Sequence, residues 1–330
     1  MVRFCSIGTS FITDWLMRAV PMIPDFQLKG VYSRSMEKAR AFGEKYGVEL
    51  FFDDLDQVGA SEEIDAVYIA SPNSLHCSQA LKMIGYGKHV FIEKPIAANL
   101  RETKEILAAA KEKGVVAAEA LRHTFNPGFD MLRECMGHLG KIRQTKITFA
   151  QYSSRIENYF RGAHYNVFDY DMAGGALMDL GVYVVSFMTA LYGAPKDIAA
   201  RVTFIGGENG VKRSDGAGMI LADYGDMTVC ADYSKLNNGA NRVEIAGEKG
   251  WLNAVDTPNI YEITIHLNNG ETNHITLPHE AADMRFELRH FLDMVAGKES
   301  PAWNQQISLD TMAVLDEARR QNGIVFPADK

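Results

Sequence analysis

Two side chains that could act together on an alcohol stand in the stretch GGALMDLGVY, residues 174–183. Asp179 and Tyr183 are four positions apart, which places both on one face of a helix. A phenol can exchange a proton with an alcohol or carbonyl, and a carboxylate can bind a substrate hydroxyl. The unperturbed phenol pKa of about 10 is high for this work, so a nearby ammonium would have to favour the phenolate. The alternative is a surface tyrosine with an aspartate that caps the helix.

A lysine that could supply this ammonium lies in Glu93-Lys94-Pro95, at the end of the apolar run HVFIEKP. There it could polarise the reacting oxygen and tune a neighbouring acid. A lysine in a surface loop is the commoner case and remains an alternative. The preceding strand, DAVYIAS, ends in a segment expected under the nicotinamide half of a dinucleotide: Ser71, Pro72, Asn73 and, shortly after, His76. His76 could equally be a helix residue packed against the sheet.

The first strand-to-helix turn, SIGTSFIT at residues 6–13, could bind a pyrophosphate. A full dinucleotide fingerprint has three glycines, for the tight turn, the close phosphate approach and the helix packing. Only Gly8 is present, and Ser10 and Thr13 occupy the other two positions. Their hydroxyls could face phosphate or cap the helix. An ordinary strand-to-helix turn explains these residues as well. The predicted cofactor contacts in this turn are Gly8, Thr9, Ser10, Phe11 and Ile12.

The second strand ends at Ser33-Arg34-Ser35, where NAD-preferring domains usually place a carboxylate for the ribose 2′-hydroxyl. Arg34 between two hydroxyls would suit a 2′-phosphate instead, with Lys38 one helical turn further on. The sequence therefore favours NADP over NAD. The alternatives are that Arg34 is a solvated loop residue or that it stacks on adenine without discriminating between the cofactors.

The elements around these residues fall into two groups. Up to about residue 120, apolar strands alternate with helical patterns, which predicts an α/β domain: a doubly wound parallel Rossmann sheet that binds ligands where its strands end. Thereafter one helix near 127–137 and one near 175–192 accompany a succession of strands with NNG, YGD and GEKG turns. This indicates an α+β domain on an open, mostly antiparallel sheet, closed by helices near 281–297 and 308–321. The predicted domains are 1–121 and 122–330.

Composition excludes several classes of function. The chain has 330 residues, 47% of them hydrophobic, and a formal net charge of -8, which argues against a nucleic-acid partner. We find no apolar run of the roughly 20 residues that cross a bilayer and no signal peptide, and therefore expect a cytoplasmic protein. The four cysteines lie far apart, which favours reduced thiols. His266, His274 and His279 lie in or beside predicted strands without metal-ligand spacing, so no metal is expected.

Taken in order, G-x-S near the start, SPNSLH, GKHVFIEKP, EALRHTFNP and GGALMDLGVY resemble the glucose-fructose oxidoreductase/inositol dehydrogenase (Gfo/Idh/MocA) family. The resemblance covers nearly the whole chain. It implies a catalytic role for Lys94, substrate binding by Asp179, a cis Lys-Pro bond, and homodimers or homotetramers. Tyr183 falls where many members have a catalytic histidine. This resembles the tyrosine subgroup, which includes dimeric dihydrodiol dehydrogenase, implies tyrosine as the acid/base, and tends to use NADP.

The sequence therefore predicts an NAD(P)-dependent oxidoreductase that transfers a hydride between nicotinamide and a sugar, polyol or diol. The substrate is expected between the nicotinamide and the Asp179-Tyr183 helix. Arg122 is assigned to the cofactor, and three further residues to the substrate, although surface or packing roles suit them as well: Phe160, Arg161 and Tyr165. The rival hypotheses are a non-catalytic nucleotide-binding sensor on the same fold and an enzyme that uses a tightly held cofactor for internal redox.

Overall fold

The computed structural model describes residues 1–278 and 284–330. It divides into two compact units. Among the described residues, the first unit comprises 1–122 and 284–309, and the second comprises 123–278 and 310–330. This division differs from the predicted consecutive domains 1–121 and 122–330, because a C-terminal segment joins the first unit.

A six-stranded parallel sheet forms the centre of the first unit, in the order β3-β2-β1-β4-β5-β6. This is the strand order of the Rossmann fold, and the predicted α/β class is confirmed. β1, β4 and β5 are almost wholly buried, as expected for strands covered on both faces. Their bounds are β1 Val2–Ile7, β2 Phe26–Tyr32, β3 Leu50–Phe52, β4 Ala66–Ile69, β5 His89–Glu93 and β6 Ala117–Ala120.

The helices of the first unit alternate with its strands. They are α1 Phe11–Ala19, α2 Met36–Gly43, α3 Leu55–Ala60, α4 His76–Gly85 and α5 Leu100–Lys113. α5 shows why they form here: Asn99 caps it by accepting from the Glu102 N–H at 2.9 Å, and Gly114 ends it in the left-handed conformation. The sequence analysis did not delimit β3 or α3, since both are short.

The C-terminal segment completes the first unit through helix α9, Met284–Val295. Phe291, 1% exposed, stacks on Phe91 with ring centroids 4.8 Å apart and meets the edge of Phe4 at 5.7 Å. α10, Ala302–Gln321, begins in this unit, where the Asn304 side chain exchanges two 2.9 Å hydrogen bonds with the backbone of Glu119. Residues 281–283 of the predicted helix 281–297, like His279, lie outside the described residues.

An eight-stranded sheet forms the second unit, in the order β14-β13-β12-β11-β7-β10-β9-β8. All neighbouring strands are antiparallel except β7 and β10, which confirms a mostly antiparallel sheet. Its strands are β7 Ile142–Ala150, β8 Asp197–Ile205, β9 Ser214–Asp223, β10 Thr228–Ser234, β11 Arg242–Gly247, β12 Gly250–Val255, β13 Glu262–Leu267 and β14 Thr272–Thr276. The sequence analysis missed β12, whose Trp251 is 44% exposed.

Three helices pack with this sheet: α6 Pro127–Met136, the short α7 Ile156–Phe160, and α8 Val182–Tyr192, which continues a π-helical turn at Leu177–Gly181. The segment Tyr170–Tyr192 is long and apolar enough to cross a membrane by length and composition, contrary to the sequence analysis, but 83% of its most apolar window is buried. Val184, Val185 and Phe187 are fully buried, so this segment is a core helix of the second unit.

Candidate active site

Gly8 lies where β1 turns into α1, and its conformation cannot be adopted easily by another residue. Its φ is +116°, and a Cβ added there would lie 2.6 Å from the Ala70 carbonyl oxygen. Ser10 is the N-cap residue of α1, but its side chain makes no capping hydrogen bond. Thr13 is fully buried and its hydroxyl lies 3.4 Å from the Gly8 carbonyl oxygen, so it stabilises the turn. The close backbone approach and the helix N-terminus fit a pyrophosphate.

Thr9 and Ile12 are half-buried, whereas Phe11 is 59% exposed and meets Trp15 edge-on with centroids 5.8 Å apart. The Arg122 guanidinium, which follows β6, lies 6.0 Å from the Trp15 ring. The structure therefore gathers the aromatic residues of α1 and Arg122 into one surface of the first unit.

Arg34 and Lys38, the cations proposed for a 2′-phosphate, are both exposed after β2. Ser33 is fixed by donating its N–H to the Phe52 carbonyl at 3.1 Å, and Ser35 caps α2 by accepting from the Lys38 N–H at 3.4 Å. Within residues 1–278 and 284–330, no carboxylate forms an ion pair with Arg34 or Lys38. Both side chains can therefore turn toward an anion.

His76 joins the loops that follow β4 and β5. Its Nδ1 lies 2.9 Å from the Pro95 carbonyl oxygen and its Nε2 2.9 Å from the Ser71 carbonyl oxygen. Burial lowers the pKa of His76, and the charge of Lys94 lowers it further, which favours a neutral ring that donates to one carbonyl at a time. His76 was predicted either to contact the cofactor or to be a helix residue packed against the sheet. It is the first residue of α4 and is buried, and it also contacts Ser71 and Pro95, which were both predicted to contact the cofactor. Pro72 and Asn73 lie between, half-buried.

The turn after β5 carries Lys94, which is half-buried, followed by a cis peptide bond to Pro95 as the resemblance implied. Glu93 is buried; it accepts from the Tyr68 hydroxyl and, at 3.3 Å, from the Lys94 N–H. Burial raises the pKa of Glu93. The turn is thus held by a buried carboxylate immediately before the lysine.

A second buried carboxylate, Glu119 on β6, holds the same turn from the other side. It accepts from the Ile96 N–H at 2.9 Å and from the Ser308 hydroxyl at 2.5 Å. Burial raises its pKa to about 7, and the neighbouring charge of Glu93 adds to this rise. The sequence analysis missed Glu119; the available signal was an acid in the apolar strand VVAAEAL.

Asp179 and Tyr183 lie on one continuous helical segment, but Asp179 belongs to its π-helical turn and Tyr183 to α8. The sequence predicted a single regular helix; π-helical turns are rare and frequent at functional sites. Tyr183 is 8% exposed, with its ring edge-on to His123 at 5.2 Å and Phe149 at 5.4 Å between centroids. This burial does not fit a tyrosine exposed at the surface.

Asp215 on β9 fixes the start of that segment. This buried carboxylate accepts from the Leu177 N–H at 2.6 Å, and a Cβ on Gly175 would lie 2.1 Å from its oxygen. Burial raises the pKa of Asp215 to about 6. Gly175 is therefore required so that the carboxylate can reach the helix N-terminus.

Asp179 forms an ion pair with Lys235, which follows β10. The Asp179 side chain is 31% exposed and that of Lys235 is 10% exposed. Neither Lys235 nor Asp215 was singled out from the sequence. The signal for Lys235 was a cation directly after the apolar strand MTVCADYS, comparable to Lys94 after β5.

The three other predicted substrate residues lie on α7 and the loop after it. Phe160 is 53% exposed, and Arg161 forms an ion pair with Glu157 at 3.8 Å. Tyr165 packs against a hydrophobic cluster that consists of Ile156, Tyr159, Phe168 and Ile205. Phe160 meets the Tyr159 ring edge-on, and the Arg155 guanidinium lies 5.6 Å from the Tyr165 ring. The assignment of Phe160, Arg161 and Tyr165 to the substrate stays a prediction.

Two of the histidines considered as ligands lie on the second sheet. His274 contacts Glu262 at 3.0 Å, and His266 stacks on Trp251 with centroids 4.3 Å apart. No group of three or more side chains suited to a metal ion occurs in the part of the chain that the structure describes.

Comparison with known protein families identifies the family to which the chain belongs. Residues 2–121 match the model of the GFO_IDH_MocA oxidoreductase family with an NAD-binding Rossmann fold, and residues 135–253 match the GFO/IDH/MocA C-terminal domain. The chain belongs to the Gfo/Idh/MocA family. As a Gfo/Idh/MocA member it is an oxidoreductase, and the predicted family, enzyme class and nicotinamide cofactor are confirmed.

Several relatives match the full length of this Gfo/Idh/MocA chain. It is 38% identical to the scyllo-inositol 2-dehydrogenase (NADP(+)) of Bacillus subtilis, covering 100% of both chains. It is 26% identical to the mouse trans-1,2-dihydrobenzene-1,2-diol dehydrogenase, covering 100% of this chain and 99% of the relative. A 3-ketoreductase of Actinomadura kijaniata, solved with NADP, superposes with a TM-score of 0.85 at 21% identity and 97% coverage of each chain, which supports the fold.

Proposed function

We propose that this protein is an NADP-dependent dehydrogenase or reductase that acts on a hydroxyl or carbonyl carbon of a polyol, sugar or diol. The observation that carries the proposal is the arrangement on the segment of residues 177–192, where a buried tyrosine follows a partly exposed aspartate. The names of the inositol and dihydrodiol dehydrogenases support the substrate class.

The first unit offers residues that fit the cofactor. The turn at Gly8 allows close approach of a pyrophosphate, and Arg34 with Lys38 would hold a 2′-phosphate. The loops of Ser71 and Lys94, joined through His76, would hold the nicotinamide half. When bound, the nicotinamide supplies or accepts the hydride.

The proton and the substrate hydroxyls are assigned to three side chains. Asp179 accepts a hydrogen bond from a substrate hydroxyl, which orients the reacting carbon. In the oxidation direction the C–H bond breaks with loss of hydride, and the hydroxyl proton passes to the oxygen of Tyr183. Lys94 stabilises negative charge on the reacting oxygen. In the reduction direction Tyr183 returns the proton.

Replacement of the tyrosine tests this assignment. With NADP and a panel of inositols, aldoses and diols, Tyr183→Phe should lower kcat by roughly a hundredfold or more while NADPH affinity stays unchanged. Tyr192→Phe is the control on the same helix, because the Tyr192 hydroxyl contacts Thr145 at 2.7 Å. Equal kcat values for Tyr183→Phe and the wild type would refute the role.

The cofactor preference has its own test. Calorimetric titration of the cofactor-free protein should show tighter binding of NADPH than of NADH, and Arg34→Ala should weaken NADPH alone. Arg40→Ala, an exposed arginine of α2, is the matched control. An equal loss of affinity for both cofactors would indicate that Arg34 stacks on adenine instead.

A non-catalytic sensor on the same fold makes a different prediction. Lys94→Ala should abolish turnover and retain NADPH binding if the protein is an enzyme. A sensor has no turnover to lose, so the wild type would fail with every substrate and either cofactor. The likeness to named dehydrogenases over the full length supports the enzyme.

We also propose that the protein forms a homodimer or homotetramer in the cytoplasm. One face of the second sheet supports the assembly, since Met219 is 52%, Leu221 51% and Trp251 44% exposed there. The four free cysteines agree with a reducing compartment. Light scattering after gel filtration should show an oligomer that Leu221→Glu dissociates; a monomeric wild type would refute the assembly.

A further inference from the structure

Lys235 is almost closed to solvent although it carries a charge. The residue is 8% exposed, and lysines are rarely buried to this extent unless they are paired. Its ammonium pairs with Asp179. A buried ammonium without a carboxylate partner is costly, so the burial of Lys235 depends on Asp179.

The backbone of Lys235 is fixed on both sides. Its N–H donates to the Gly216 carbonyl at 2.8 Å, and its carbonyl accepts from the Ser153 N–H at 2.9 Å. The next residue donates its N–H to the Ser234 hydroxyl at 3.1 Å. The lysine therefore starts from a rigid position at the end of β10.

The start of β9, which holds the backbone of Lys235 through Gly216, also fixes the helical segment that carries Asp179. Asp215, next to Gly216 in the chain, accepts from the Leu177 N–H at 2.6 Å at the start of the segment that carries Asp179. One strand start thus holds both the helix of the aspartate and the backbone of the lysine. Such rigid support on both sides is what a precisely oriented acceptor requires.

Exposure distinguishes the two members of the pair. With 31% of its side chain exposed against 10% for Lys235, Asp179 is the member that a ligand can reach first. We propose that Lys235 is a positioning residue, which holds the Asp179 carboxylate in the orientation that accepts a hydrogen bond from a substrate hydroxyl. This inference rests on the proposed function, in which Asp179 binds that hydroxyl.

Steady-state kinetics of four variants with NADP and the preferred polyol tests the inference. Lys235→Met should raise KM for the polyol roughly tenfold or more, with a smaller change in kcat. The reason is that the Asp179 carboxylate is no longer held in position, so its hydrogen bond with the substrate hydroxyl is lost. NADPH affinity, measured by fluorescence, should not change. Lys235→Arg should restore most of the affinity for the polyol. Lys141→Met removes an exposed lysine that is paired with Asp226 at 2.5 Å, and should behave as wild type.

A double-mutant cycle separates positioning from general stability. If Lys235 acts through Asp179, Asp179→Asn combined with Lys235→Met should match Asp179→Asn alone in KM and kcat. The double variant carries neither charge of the pair, so it decides the matter if Lys235→Met alone does not fold. The inference would be overturned if the change in KM or kcat of the double variant equalled the product of the two single-variant changes. It would also be overturned if Lys235→Met had the KM and kcat of the wild type. A wild type without turnover would instead refute the proposed function.

Discussion

Replacing Glu119 by Gln should remove a pH-dependent cost of folding from the first unit. The carboxyl is fully buried, and burial raises its pKa from 4.5 to about 7. The folded protein therefore binds this proton more tightly than the unfolded chain. Stability from this group is complete below pH 4.5 and is lost as the pH rises through about 7. The difference between the two pKa values corresponds to about 3 kcal/mol.

Glu119→Gln keeps an oxygen that can accept from the Ile96 N–H. We expect the variant to gain stability relative to wild type as the pH rises from 5 to 8, by up to about 3 kcal/mol. Urea titrations at half-unit pH steps would measure it in a Trp251→Phe background, because the remaining tryptophans, Trp15 and Trp303, lie in the first unit. Glu112→Gln, an exposed acid of α5, is the control. A difference between Glu119→Gln and wild type that does not vary with pH would refute the reasoning.

Substitutions at three further positions have defined outcomes. Gly8→Ala places a Cβ against the Ala70 carbonyl at positive φ, so it should cost about 1–3 kcal/mol and weaken NADPH binding, as calorimetry would show. Asp215→Ala leaves the Leu177 N–H unpaired and should cost about 1–3 kcal/mol by thermal melting and lower kcat, whereas Asp215→Asn should retain both. Phe291→Ala should destabilise the first unit by about 3–5 kcal/mol in urea, and wild-type stability would show that α9 is not part of its core.

The fold followed from sequence where periodicity was strong. The buried strands β1, β4 and β5 and the capped helix α5 appear at the predicted places, since apolar runs and capping residues are local signals. β12 was missed because exposed Trp251 interrupts an apolar pattern and a Gly-Glu-Lys-Gly turn precedes it. The contribution of α9 to the first unit depends on contacts between residues almost 300 positions apart, such as Phe4 and Phe291, and no local pattern reports them.

Some residues of the candidate site could likewise be proposed from local sequence patterns, and others could not. Lys94, Asp179 and Tyr183 could be proposed because they stand in recognisable motifs at predicted strand or helix ends. Lys235 and Asp215 could not, because their importance arises from an ion pair between residues distant in the sequence and from a helix start held by a neighbouring strand. The π-helical turn was unpredictable as well, since its sequence has the spacing of an ordinary helix.

The position of α9 late in the chain, at Met284–Val295, affects folding of the first unit during synthesis. Phe291 completes the aromatic contacts of Phe4 and Phe91, yet almost 200 residues separate it from Phe91 in the chain. At about 5–20 residues per second, a ribosome needs on the order of 10–40 s to add that length. During this interval the nascent first unit exposes apolar surface that chaperones could bind. Cofactor binding should therefore begin only after α9 has been synthesised, and nascent chains stopped before α9 should not retain NADPH.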